Sequence, residues 1–108
     1  MVNILSMTSV VEIRVPSQYA DLSKKIIIDS LEAKLRNLEG LREELVRRLK
    51  RLCEKYNCEC EDLEERLKVI DDAEVDLDWV EYVAVREMIK DVDKKIEILR
   101  IIIEQNKA

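Results

Sequence analysis

The clearest signal in the chain is a recurrence of apolar positions near its end: Tyr82, Val85, Ile89, Val92, Ile96, Leu99 and Ile103 follow one another at steps of three and four. That spacing keeps seven side chains on one helical face and predicts a helix over about 78–105 with a coiled-coil-like seam. Met88, Ile98, Ile101 and Ile102 lie off this seam. One partner helix would not cover them all. A second stripe runs through Leu31, Leu35, Leu38, Leu45, Leu49, Leu52 and Tyr56 and predicts a long helix over about 20–56. Between its halves Leu41 comes one position early and Arg42 occupies the regular slot, next to Gly40. A glycine in a helix interior costs about 1 kcal/mol relative to Ala, so a continuous helix with a weak point is expected there. Such a helix reaches ~54–60 Å and calls for a long partner.

Two shorter segments complete the pattern. Val11, Ile13 and Val15 alternate with Val10, Glu12 and Arg14 ahead of Pro16, which is the period of a half-buried strand closed by a residue that donates no ladder hydrogen bond. One strand has no sheet within its own chain, and a second copy of the same strand is the simplest source of partners. Leu63, Leu67 and Ile70 mark a short helix over about 60–71, following a turn at Asn57, a residue that tolerates the left-handed conformation. The stretch "DDAEVDLD" from Asp71 to Asp78 reads as acidic and irregular, and Asp78 with Glu81 reads as a capping box that starts the last helix. The expected fold is therefore all-α: an elongated helical hairpin or bundle of three helices in one domain (17–108), preceded by an arm with a short strand (1–16).

Composition narrows the function classes. The chain has 108 residues, 40% of them charged, with a net charge of −5, one Gly, one Pro and no His. The acidic balance argues against a protein that coats nucleic acid or an anionic membrane, so a nucleic-acid contact is expected only locally, through the N-terminal arm. No apolar run approaches the roughly 18 residues of a spanning helix, and "MVNILSMTSVVEIRV" lacks the basic and apolar regions of a secretory signal. A cytoplasmic protein with no membrane contact is the expectation. The abundance of Lys, Arg and Glu over Asn and Gln is the bias of hyperthermophile proteins. Absence of His removes His-based triads, general bases and metal sites, and one Gly leaves no Gly-rich phosphate loop. No cofactor is expected.

Cys53, Cys58 and Cys60 fall within eight residues, "CEKYNCEC". Three readings are open. As metal ligands they are one short of a structural zinc set, with only an acidic residue such as Glu61 or a second subunit to supply the fourth. A disulfide from Cys53 to Cys58 or Cys60 would staple the turn and leave one thiol over. The preferred reading makes Cys53 and one other cysteine small apolar plugs where two helices meet. Asp72, Glu74 and Asp76 alternate like a calcium loop, but Leu77 stands where that loop needs Gly and Val83 where it needs Glu.

Two family resemblances bear on function. Glu61 with Glu64, and Asp78 with Glu81, resemble the paired acidic motifs of all-α nucleotide pyrophosphohydrolases, in which carboxylates on facing helices hold magnesium. That resemblance implies a magnesium-dependent hydrolase as the alternative. "VVEIRVPSQYADLSKK", the long Leu- and Arg-rich segment after it, and "YNCECEDLEERLKVI" together resemble short archaeal antitoxins of the VapB type over about residues 10–70. This resemblance implies a small non-enzymatic protein that dimerises through its N-terminal segment, binds operator DNA there, and wraps a PIN-type ribonuclease toxin with later segments. The chain departs from that pattern in having no break between a first and second helix, and in carrying residues 78–108. The expectation is thus an interaction and oligomerisation module, a homodimer or higher oligomer. Val11, Ile13, Val15, Ile96, Leu99 and Ile103 are its expected self-contacts, and Arg42, Arg47, Arg48 and Arg51 its surface for an acidic partner.

Overall fold

In the computed structural model, which describes residues 8–70 and 72–107, three helices follow one another. Helix α1 spans Ala20–Lys55, α2 Leu63–Val69 and α3 Ala73–Asn106, with 3-10 turns at Ser17–Tyr19 and Cys60–Asp62. The all-α, elongated architecture read from the stripes is what forms, with a longest extent of 64 Å. Helix α1 runs unbroken through Gly40, around which there is open space. Its stripe meets the stripe of α3 in antiparallel register: Leu38 and Leu45 bury against Val85, Val92 and Ile96, while Leu35, Leu49, Ile89 and Leu99 pack at the margins. The two long helices are therefore a hairpin, and α2 closes one end of it. There Leu63 and Leu67 complete a second cluster with Leu52, Cys53, Val75 and Tyr82. Leu63 and Val85 are wholly shielded from solvent.

Helix α1 stops for reasons local to its sequence. Asn57 takes the left-handed conformation at φ 49°, as expected of that residue. The Asn57 N–H donates to Glu54 O at 3.1 Å and the Cys58 N–H to Cys53 O at 3.2 Å. These two bonds make the Schellman termination, in which the chain curls back to satisfy the last open carbonyls of the helix.

The start of α3 corrects the sequence reading. The helix begins at Ala73, five residues before Asp78, and its N-cap is Asp72, whose carboxylate accepts from the Glu74 N–H at 2.8 Å. Asp78 does not cap anything. It extends the seam, because Val75, Asp78 and Tyr82 continue the alternation of three and four toward the N-terminus, and all three are buried. The acidic stretch expected to be irregular is helical from Ala73 onward.

The expected strand at Val10–Val15 does not form: among the described residues there is no strand, and this segment is an exposed arm. A lone extended segment finds no ladder partner in its own chain, so the arm half of the expectation is what one chain can realise. The first seven residues of the expected arm lie outside the described residues.

Candidate functional site

Ion pairs cross the hairpin on both flanks of the seam. Arg42 donates to Asp93, Arg48 lies 3.5 Å from Glu81, Arg100 3.9 Å from Glu39, and Lys107 3.0 Å from Glu32. Arg42 and Arg48, of the expected four-arginine partner surface, therefore also serve the α1–α3 register, with side chains 46% and 39% exposed. Arg47 and Arg51 remain exposed, with no ion pair among the described residues. They stand one helical turn apart and share a face.

Ile96 is buried in the cluster between α1 and α3 of the same chain, Leu99 packs against that cluster, and Ile103 is buried further along α3. Expected as contacts with a second copy, these side chains instead line the seam within one chain, Ile96 and Ile103 buried and Leu99 half-buried. Val11, Ile13 and Val15 are instead open to solvent, Val11 at 88% of its full exposure. The same apolar character continues into Tyr19, Leu22 and Ile26, all more than half exposed. This continuity has a simple cause. The Lys107–Glu32 pair marks where α3 ends alongside α1. About three turns of α1 ahead of Glu32 project beyond it, ~18 Å of helix. Arm and projection together expose seven large apolar side chains, Val10, Val11, Ile13, Val15, Tyr19, Leu22 and Ile26. Ile98, Ile101 and Ile102, read as lying off the seam, are exposed on α3 near the same end.

The acidic pairs are distributed differently from a metal centre. Glu64 meets Arg86 at 3.4 Å and Lys68 at 3.5 Å, and Glu81 meets Arg48. Asp78 accepts from Lys55 Nζ at 2.8 Å and from the Tyr56 hydroxyl. Among the described residues no three metal-ligating side chains converge. The Asp78 cluster is one that the sequence reading missed, because an Asp followed three residues later by Glu looks like a cap. The signal that could have found it is the seam spacing itself, with Asp78 standing where an apolar residue belongs.

The electrostatics of that cluster are those of a satisfied buried acid. The Lys55 ammonium, first, and the Tyr56 hydroxyl hold the Asp78 carboxyl below the usual carboxylate range. Burial, and then the hydrogen bond to Asp78, push the Tyr56 phenol up to about 12. Lys55 is raised by its hydrogen bonds to Asp78 and then Glu74, which lies 2.9 Å from it. The Arg86 guanidinium is raised chiefly by the Tyr82 hydroxyl, 3.4 Å away.

Of the readings left open for the cysteines, the structure takes the disulfide. Cys53 and Cys60 are joined, with Cα atoms 5.3 Å apart, and Cys58 is free and half-buried. Cys53 is at the same time buried in the apolar cluster, as the packing reading had it. Among the described residues no helix is long and apolar enough to cross a membrane. No family model matches this chain, no curated protein matches it and no solved structure matches it, so its own surfaces carry the functional reading.

Proposed function

We propose that this chain is a non-enzymatic helical interaction module that associates with a second copy of itself through the arm and the projecting start of α1. The observation that carries this reading is the succession of exposed large apolar side chains from Val10 to Ile26. The arm has a pattern suited to self-pairing. In an antiparallel ribbon centred on Ile13, Val11 of each copy lies opposite Val15 of the other, and Glu12 opposite Arg14. The ribbon has β-branched pairs on one face and two opposite-charge pairs on the other, each worth about 0.2–1 kcal/mol over Ala pairs. Pro16 ends the ladder where α1 is about to begin.

Arg47 and Arg51 supply the second contact, a positive pair on an acidic protein. Planar guanidinium groups suit a carboxylate-rich partner, and an antitoxin-like role against a PIN-type ribonuclease is the specific form this takes. The magnesium-dependent hydrolase reading finds no support in the ion pairs that engage Glu64, Asp78 and Glu81.

Sedimentation equilibrium at micromolar concentration tests self-association. The expected species is a dimer or larger, and Ile13→Arg is expected to shift it toward the 12.7 kDa chain. A monomer at all concentrations would overturn the reading.

A further inference from the structure

We propose that the turn after α1 is a thiol–disulfide exchange element in which Cys58 is the internal attacking thiol. The arrangement follows from the way α1 terminates. In a Schellman termination the residue two beyond the C-cap folds against the residue three before it, and the two commonly make an apolar contact. Here those residues are Cys58 and Cys53. Their 3.2 Å backbone hydrogen bond, with ordinary backbone dimensions, keeps the two Cα atoms within about 7 Å. Cys58 also packs against the buried cluster that contains Cys53. A disulfide forms between residues whose Cα atoms are about 4.4–6.8 Å apart. Cys53 thus has two cysteines at its side: Cys60, to which it is bonded, and Cys58, held by the turn.

The step conserves electrons. The Cys58 thiolate attacks Cys53 Sγ, the Cys53–Cys58 bond forms, the Cys53–Cys60 bond breaks, and the electron pair leaves on Cys60 Sγ. The proton given up by Cys58 is taken back at Cys60, and no outside oxidant or reductant is consumed. Burial of Cys53 limits the access of thiols in solution to its sulfur, whereas half-buried Cys58 already packs against the cluster that contains it.

The two linkages differ in what they hold. The Cys53–Cys60 bond ties the 3-10 turn Cys60–Asp62, and through it α2, to the last turns of α1. The Cys53–Cys58 bond closes within the termination itself. It leaves α2 attached by the burial of Leu63 and Leu67 and by the Glu64–Arg86 pair, and presents a free thiol at exposed Cys60. The closed loops differ by only two residues, so loop entropy separates the isomers by less than about threefold.

The test uses the full chain in native buffer at alkaline pH, without reductant. Free thiols are trapped with N-ethylmaleimide, and the linked tryptic peptides Leu52–Lys55 and Tyr56–Arg66 are sequenced by tandem mass spectrometry. The expected result is two species within about tenfold of each other, one with maleimide on Cys58 and one with maleimide on Cys60. Cys58→Ser is expected to abolish labelling of Cys60. Cys60→Ser is expected to form the Cys53–Cys58 bond in air and to show at least threefold faster amide exchange across Leu63–Val69 than Cys58→Ser. Wild-type protein in which Cys60 is never labelled, or a Cys60→Ser variant in which Cys53 and Cys58 stay separately reactive, overturns the proposal.

Discussion

Asp78 offers the sharpest test of how the closed end of the hairpin is held. It stands in the α1–α3 seam at 9% exposure, between Val75 and Tyr82, where a hydrophobic side chain would ordinarily sit. Its carboxylate is acceptable there because Lys55 and Tyr56 meet it. Asp78→Asn keeps the shape and one acceptor oxygen but removes the charge. A hydrogen bond to a charged group contributes about 1.5–3 kcal/mol, and the Tyr56 hydroxyl supplies one such bond. The Lys55 side chain is 43% exposed, so solvent screens its ion pair and it adds little. The substitution is therefore expected to destabilise the fold by about 1.5–3 kcal/mol at pH 7. Tyr56→Phe should act through the same bond, and the double variant should lose little more than either single one. The sign of the pH dependence follows from the depressed carboxyl. Its contribution is complete above the ordinary carboxyl value of about 4 and fades as the pH falls toward the lower value of the folded state. Urea unfolding at fixed protein concentration, followed by Trp79 fluorescence, measures both effects. An Asn variant within 0.5 kcal/mol of the parent at pH 7, or a difference of equal size at pH 3, would refute the argument.

Four further outcomes follow. Gly40→Ala, in open space on a continuous helix, should stabilise the fold by about 0.5–1 kcal/mol in urea melts followed by circular dichroism, and a loss would mean that α1 breaks there. Leu45→Ala should remove about 2–5 kcal/mol whereas Leu41→Ala, on the exposed side, removes less than about 1; equal effects would contradict the register of the seam. Reduction of the Cys53–Cys60 bond should lower stability by about 2.5 kcal/mol on the loop-entropy argument, read as a shift of the urea midpoint with and without reductant. Spectrophotometric titration should show one tyrosine ionising near pH 12 that is missing in Tyr56→Phe, with the stability from its neutral phenol present below about pH 10 and falling between about 10 and 12.

What could be read from the sequence was set by apolar spacing. The long helices announced themselves because Leu38, Leu45 and Leu52 on one, and Val85, Val92 and Ile96 on the other, repeat at the helical period and have no other place to go. Asn57 announced the end of α1 because few residues adopt its backbone conformation readily. What stayed hidden depends on pairing between distant positions. The antiparallel register decides that Arg42 faces Asp93 and Arg48 faces Glu81, and no local pattern distinguishes those arginines from Arg47 and Arg51. Likewise Ile96, Leu99 and Ile103 look equally suited to a helix of the same chain or of another.

The same logic explains the misplaced start of α3 and gives Asp78 a role beyond stability. A seam of apolar residues alone permits neighbouring registers, because Leu, Ile and Val exchange places at modest cost. One carboxylate inside the seam permits only the register that brings Lys55 and Tyr56 to it, since any other leaves a charge buried without a partner. The lock sits at the closed end, within two turns of the disulfide, where α2 has the fewest buried residues to hold it: Leu63 and Leu67. At the opposite end the arm and the first turns of α1 have no such device and keep their apolar side chains in solvent. The molecule is thus pinned where its chain reverses and open where it projects, which is the division of labour expected if the projecting end meets another chain and the closed end sets the angle at which it is offered.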